Sequence, residues 1–358
     1  KDIDIEFQDC TPSLIEFSNN LDEMLDKIDL VDENSIDFPL IKKSGLHDLL
    51  IQLSDAIRVF LRCIKSDNYI SWMKYHHQSN YSSINYLLKD IGQSISENCF
   101  GNSNIGVFCS ATITIDSNFE HFKMKLGLDR VSYVRDISEH IFGTPFFLEE
   151  QVSFYSFKSD LHINSDDYIF SISDQIFDIA SSLSKKMLVL CTSYKQASQL
   201  KHKLSSKFKK INKQLLVHEK GRSRNSLIRA FKESEDSVLI GTMAFWEGVD
   251  FPGDELSILM MIRIPFSNPN DPYLKYVDEQ LNIQGKNGFK EYQVPEACIK
   301  MKQGFGRLIR TELDSGIFII TDPRIYSSSY GHTIINSFPI ESTVYTKISQ
   351  ILIDDKIL

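Results

Sequence analysis

From Ile105 onward the chain alternates short apolar runs with amphipathic stretches, and no other feature of the sequence restricts its fold as much. A strand that is apolar on both sides must be covered on both sides, which is the situation of a parallel sheet carrying helices on its two faces. The runs predict strands at Ile105 to Cys109, Met187 to Cys191, Gln214 to His218, Val238 to Gly241, Ile258 to Arg263 and Ile317 to Thr321. Between them, apolar residues spaced by three and four predict helices at Tyr194 to Phe208, Ser223 to Phe231, Pro272 to Gln280 and Pro295 to Arg310. Ligands of such sheets sit beyond the carboxyl ends of the strands, so polar residues are expected to gather there.

They do gather there. The predicted strand ends read Cys109-Ser110-Ala111-Thr112, Cys191-Thr192-Ser193-Tyr194, His218-Glu219-Lys220-Gly221, Gly241-Thr242-Met243 and Thr321-Asp322-Pro323-Arg324. Short hydroxyl side chains beside backbone N–H groups at a helix start suit phosphate oxygens, although any single one is also an ordinary helix cap. In a helix over Pro295 to Arg310, Gln303, Arg307 and Arg310 fall at i, i+4 and i+7 and share a face. Two guanidinium forks and an amide on one ridge can grip a phosphate or stabilise charge that develops in phosphoryl transfer. A solvated basic face has the same pattern, and the helix alone does not choose between them.

Residues 1 to about 66 read as helical, with Leu14, Ile15, Phe17, Leu21, Met24, Leu25 and Ile28 at helical spacing and the same pattern from Leu46 to Ile64. A length of 358 residues with 42% hydrophobic content supports about two domains with sizeable cores. The six cysteines are scattered singly, without zinc or iron-sulfur spacing, and are expected to be reduced and mostly buried. His76 and His77 are adjacent, so a strand would point them opposite ways, and no metal site is expected there. No apolar run is long enough to span a bilayer and no signal peptide is visible, which points to a cytoplasmic protein without a membrane partner. The chain opens on Lys1 rather than methionine, which reads as a fragment or a processed piece.

The net charge of -9 is unevenly spread. Residues 1 to 40 hold twelve Asp and Glu against two Lys, whereas residues 184 to 232 hold fourteen Lys and Arg against Glu219 alone. Local charge sets the field at short range, so this block can attract a phosphate backbone even on an acidic protein. Solvated lysines on exposed helix faces would give the same count.

Taken in order, four stretches carry a specific resemblance. Ser110-Ala111-Thr112, Thr192-Ser193-Tyr194, the run Gly241-Thr242-Met243-Ala244-Phe245-Trp246-Glu247-Gly248-Val249-Asp250-Phe251-Pro252-Gly253, and Gln303-Gly304-Phe305-Gly306-Arg307-Leu308-Ile309-Arg310 resemble motifs III, IV, V and VI of superfamily 2 helicases. The Phe-Trp-Glu-Gly-Val-Asp form of motif V is similar to that of the bacterial DinG branch of the XPD-like helicases. The resemblance covers roughly residues 70 to 340 and includes Tyr330-Gly331. It implies a RecA-like doubly wound parallel sheet, preceded by a helical Arch-like segment over residues 1–66. Residues 67–115 would close the first motor domain, and residues 116–358 would form the second.

The same resemblance implies an ATP-dependent motor that moves 5'-to-3' along single-stranded or forked DNA. Gln303, Arg307 and Arg310 would face the nucleotide, with the arginines as finger and phosphate sensor. Glu247, Gly248 and Asp250 would form the loop linking ATP to DNA, Thr192, Ser193 and Thr242 would contact the DNA backbone, and Ser110 and Thr112 would couple the domains. No Gly-x-x-x-x-Gly-Lys-Ser/Thr loop and no Asp-Glu-Ala-His box occurs in the sequence. In the family both lie upstream, so ATP and Mg2+ are expected to be held mainly by a preceding half, with this chain inactive alone. The family's iron-sulfur cysteines, where present, also lie upstream, so the resemblance leaves the cluster open and none is expected within this chain. Two other readings stay open: a DinG-like exonuclease in which this half is a regulatory DNA- and ATP-binding module, and a single-stranded nucleic-acid-binding module without catalysis of its own.

Overall fold

A computed structural model of the chain describes residues 3–5, 11–29, 43–76, 81–100, 105–115, 117–131, 136–246, 248, 251, 255–347 and 350–351. The chain divides into two compact units. The first comprises residues 1–104, 126–130 and 269–280, and the second residues 105–125, 131–268 and 281–358.

In the first unit the helices Thr11–Asp29 and Lys43–Lys65 pack through Leu21, Leu50 and Ile57, with Leu25 and Leu61 beside them. These are residues that the three-and-four spacing selected. Asp22 reinforces the pair by accepting from Ser54 Oγ at 2.8 Å and Arg58 at 2.7 Å. Three antiparallel strands accompany the helices: β1 (Ile3–Ile5), β2 (Tyr69–His76) and β3 (Tyr81–Leu88), in the order β1-β2-β3. The hairpin pairs Tyr69 with Leu88 through to His76 with Tyr81. Helical periodicity did not reveal this sheet, whose long strands are rich in the β-branched and aromatic residues that suit a pleated surface. The side chains of His76 and His77 lie outside the described residues.

The second unit is built on seven strands, β4 (Val152–Phe157), β5 (Met187–Leu190), β6 (Gln214–Val217), β7 (Ser237–Gly241), β8 (Ile258–Met261), β9 (Gly316–Ile320) and β10 (Thr343–Tyr345). Their order is β10-β4-β9-β8-β5-β7-β6, and every pairing is parallel. Successive side chains of a strand point to opposite faces, and the two cores follow that rule. Leu188, Leu190, Leu239, Leu259 and Phe318 face one way, against Leu227, Phe231, Ala297 and Met301 of the helices Arg224–Glu233 and Val294–Phe305. Met187, Val189, Val238, Ile240 and Ile319 face the other, against Ile172, Ile176, Leu200 and Leu204 of the helices Asp166–Ser182 and Tyr194–Lys210. The unit is the parallel sheet covered by helices on both faces that the apolar runs predict, and it agrees with the RecA-like fold that the resemblance implies.

Two expectations fail in this unit. Ile105 to Cys109 is not a strand: residues 105–110 have no regular secondary structure, and Ile105 and Val107 are 83% and 86% exposed. A strand needs a hydrogen-bonding neighbour, and the described residues supply none there. The last long helix ends at Phe305 rather than Arg310: the bond from Gly306 N–H to the Lys302 carbonyl is its last four-residue rung, and the N–H groups of Arg307 and Leu308 turn to the carbonyls three residues back, those of Gly304 and Phe305. Three of the five cysteines among the described residues are buried, namely Cys63, Cys191 and Cys298, while Cys99 and Cys109 are exposed and none is bridged. No helix of the described residues is long and apolar enough to cross a membrane.

Candidate functional site

The carboxyl edge of the sheet is assembled by side chains that tie successive strand ends together. Beyond β5, Ser193 caps the Tyr194–Lys210 helix by accepting from Gln196 N–H at 3.3 Å. Gln196 returns the contact, its Oε1 taking both the N–H and the hydroxyl of Thr192 at 3.1 Å. The two half-buried hydroxyls are thus pre-aimed at a helix start, where backbone N–H groups collect.

Beyond β6 and β7, His218 Nδ1 and Thr242 Oγ1 share a hydrogen bond of 2.6 Å, and both residues are buried. The imidazole lies between the rings of Tyr194 and Phe245, with centroids 5.1 and 5.0 Å away. Burial, and then the nearby Arg224 charge, push its pKa below the ordinary value of 6.5, so it is neutral at pH 7. The linkage follows from the sign. A histidine held neutral contributes stability above pH 6.5, and loses it as the pH falls through the lower folded value. Urea midpoints measured from pH 7.5 down to 5 are expected to fall below pH 6.5, with a shallower fall in His218→Asn; identical slopes would exclude His218 as the cause.

The segment after Thr242 is held from three directions. Trp246 is fully buried and donates its indole N–H to the Cys191 carbonyl at 3.1 Å, joining the ends of β5 and β7. Arg224 donates to the Gly248 carbonyl while its guanidinium lies 5.8 Å from the Phe245 ring centroid. Gly248 has φ +64, and a Cβ there would lie 3.2 Å from Arg224, so the turn needs glycine. Arg307 donates to the carbonyls of both Phe245 and Trp246 and is only 5% exposed. Glu247 and Asp250 lie outside the described residues.

Gln303, Arg307 and Arg310 therefore do not share one helical face. Gln303 is on the helix, Arg307 is in the turn after it and turned inward, and Arg310 is exposed in the loop that runs back to β9. The helix itself lies close to the sheet because residue 304 is glycine: a Cβ there would come within 2.5 Å of Met261 Cε. The Gln303 amide oxygen is buried with no hydrogen-bond donor among the described residues, an orphan atom at the site. Lys302 donates to the Thr114 carbonyl at 3.0 Å, and Glu296 of the same helix holds His121 and Lys125 at 2.7 and 2.8 Å. The chain that follows Ser110 and Thr112 is thereby anchored to the helix bearing Gln303. Ser110 is exposed, and its Oγ accepts from the Thr112 N–H at 3.2 Å.

At the end of β9, Asp322 is fully buried and accepts from Ile264 N–H at 2.8 Å and from Arg324 at 2.6 Å. The basic block is less bare than its composition. Lys201 meets Glu219 at 2.5 Å, Lys213 meets Asp236 at 2.7 Å, Lys232 meets Glu255 at 2.9 Å, and Lys207 pairs with Asp174. Three of those four carboxylates come from outside residues 184–232, which a segment count cannot register.

Residues 176–341 match the family described as the helicase C-terminal domain. The chain belongs to the DinG-like family. It is 32% identical over 236 residues to "ATP-dependent DNA helicase YoaA" of Haemophilus influenzae, covering 66% of this chain and 35% of that protein. With "3'-5' exonuclease DinG" of Bacillus subtilis it shares 33% over 258 residues, covering 70% of this chain and 27% of that protein. Among solved structures, "XPD_APO" aligns over 96% of this chain and 73% of its own length with a TM-score of 0.53 at 16% identity, a likeness of fold. The chain spans about a third of the length of these curated DinG-like relatives.

For a DinG-like chain, the ties just described connect motif to motif. Motif V reaches the residue just before motif IV through the bond from Trp246 to the Cys191 carbonyl, and it meets motif VI through Arg307. The sequence marked every motif but not these links, and it gave no signal for Gln151 and Asp314, whose hydrogen bonds brace the loop after Arg310. Among the described residues no group of three His, Cys, Asp or Glu could hold a metal ion.

Proposed function

We propose that this chain serves an ATP-dependent 5'-to-3' DNA helicase of the DinG type, as the half that answers to a nucleotide held by a preceding motor domain. The observation that carries the reading is the Arg307 guanidinium bonded to the two motif V carbonyls. It makes the nucleotide-facing and DNA-facing motifs one mechanical piece. Arg310 is assigned the developing phosphate charge and Gln303 a polar contact to the nucleotide. Arg307 is assigned the transmission from motif VI to motif V, joined there by Glu247, Gly248 and Asp250. Thr192 and Ser193 would hold DNA phosphates without reading sequence, with Thr242 shaping the loop beside them. Ser110 and Thr112 would couple the motor domains. Residues 1–66 would belong to an Arch-like insertion, 67–115 to the first motor domain and 116–358 to the second. Mg2+ would be held by residues outside this chain, DNA would be single-stranded or forked, and the protein would act in the cytoplasm.

The reading is tested by ATP turnover of the full-length protein with and without single-stranded DNA. Stimulation by about tenfold or more is expected, and an unstimulated or absent ATPase rejects the motor. A second reading draws on the relative named as a 3'-5' exonuclease: this half would then regulate a nuclease. DNA degradation that persists when ATP turnover is abolished would favour it.

A further inference from the structure

We propose that Gln151 and Asp314 are positioning residues that hold Arg310 for its work on the nucleotide, an inference that rests on the functional reading above. Arg310 leaves the chain from a loop, residues 306–315, that lies between the end of the motif VI helix and the start of β9. Arg310, Thr311, Glu312 and Leu313 are all exposed, Leu313 by 95%. Leu308 and Ile309 anchor the start of this loop in the core, but the stretch from Arg310 to Leu313 has little burial of its own, and an arginine acting on transition-state charge must be held to within about 0.5 Å.

Two side chains supply the missing constraint. Asp314 is 9% exposed, and its Oδ2 accepts the N–H groups of Arg310 at 2.7 Å and Thr311 at 2.9 Å. Its Oδ1 accepts the Thr311 hydroxyl at 2.7 Å. From the other side, the Gln151 amide nitrogen reaches the carbonyls of Thr311, Glu312 and Asp314 at 3.1, 3.2 and 2.8 Å. Only the NH2 end of the amide can serve three carbonyls, so the side-chain orientation is fixed, and its two N–H groups must share one contact. Donor and acceptor thus grip opposite polarities of the same stretch, Arg310 to Asp314.

The grip stands on the sheet. Gln151 ends the short helix Leu148–Gln151 and leads directly into β4, whose first residue, Val152, pairs with Gly316 of β9. Arg310 is therefore referenced to two hydrogen-bonded strands. Burial of the Asp314 carboxyl raises its pKa, but the Thr311 hydroxyl and the two backbone N–H groups outweigh it and hold the pKa below the usual 3.8. The acceptor stays ionised at neutral pH.

The test is steady-state ATP turnover by the full-length protein with single-stranded DNA. Gln151→Ala is expected to lower kcat by about 10–100-fold, as a misplacement of about 1 Å would, with KM for ATP and DNA affinity changed less than about twofold. In an Arg310→Ala background, Gln151→Ala should cost nothing further, because the group it positions is gone. A full additional loss there, or normal turnover in Gln151→Ala alone, overturns the proposal. If Gln151→Ala does not fold, Gln151→Lys and Gln151→Glu decide: lysine keeps a donor toward the carbonyls and should retain turnover within about threefold, whereas glutamate should not. Equal turnover in the two overturns the proposal. Retained turnover in Arg310→Ala itself would instead reject the functional reading, and so separates the two failures.

Discussion

Arg310→Ala is expected to reduce DNA-stimulated ATP turnover of the full-length protein by about 10³-fold or more, the range that arginine fingers supply. Arg310 is exposed, and alanine retains the backbone N–H that Asp314 accepts. Stability should therefore stay within about 0.5 kcal/mol of the parent, as for surface substitutions generally. Arg310→Lys should recover little, because a point charge does not reproduce the planar fork. ATPase assays beside a thermal melt check both halves of this expectation. Turnover within tenfold of the parent would remove Arg310 from the chemistry.

Arg307→Ala should behave differently, losing turnover and stability together. Its guanidinium is buried against the Phe245 and Trp246 carbonyls, and alanine would leave both without their donor beside a vacated volume. An unsatisfied buried polar group costs about 1–3 kcal/mol, so the domain should lose about 2–5 kcal/mol. At roughly 2–4 °C per kcal/mol for a domain of this size, the melting temperature should drop by about 5–15 °C. A second signature would be weakened DNA binding even without nucleotide, since the motif V segment loses one of its three supports. An unchanged melting temperature would mean that the inward hydrogen bonds do not persist in solution.

Much of this was legible in the sequence. Five of the six predicted strands are present, because strands buried on both faces tend to be continuous apolar runs, and one such as Met187–Leu190 is hard to mistake, whereas β4 was missed because Ser153 and Ser156 interrupt its run. The edge strand β10 was invisible for the opposite reason: Thr343 and Val344 are exposed, so nothing demanded an apolar run. At the site, hydroxyls and glycines at strand ends were recognisable, but partner choice was not. Nothing in the spacing of Gln303, Arg307 and Arg310 shows that the helix ends at Phe305 and that Arg307 turns inward; the latter depends on two carbonyls some sixty residues upstream. The count of fourteen cations in one block likewise overstated its field, because Asp174, Asp236 and Glu255 fold onto it from outside.

The position of Trp246 gives the protein its own optical probe. The chain has two tryptophans, Trp72 on β2 of the first unit and Trp246 in the second. The second is buried, hydrogen-bonded to the Cys191 carbonyl, and supplies one of the carbonyls that Arg307 holds. Its emission therefore samples the place where Arg307 and the end of β5 meet the Trp246 segment, and in a Trp72→Phe form of this chain fluorescence would report the integrity of that junction with no attached dye.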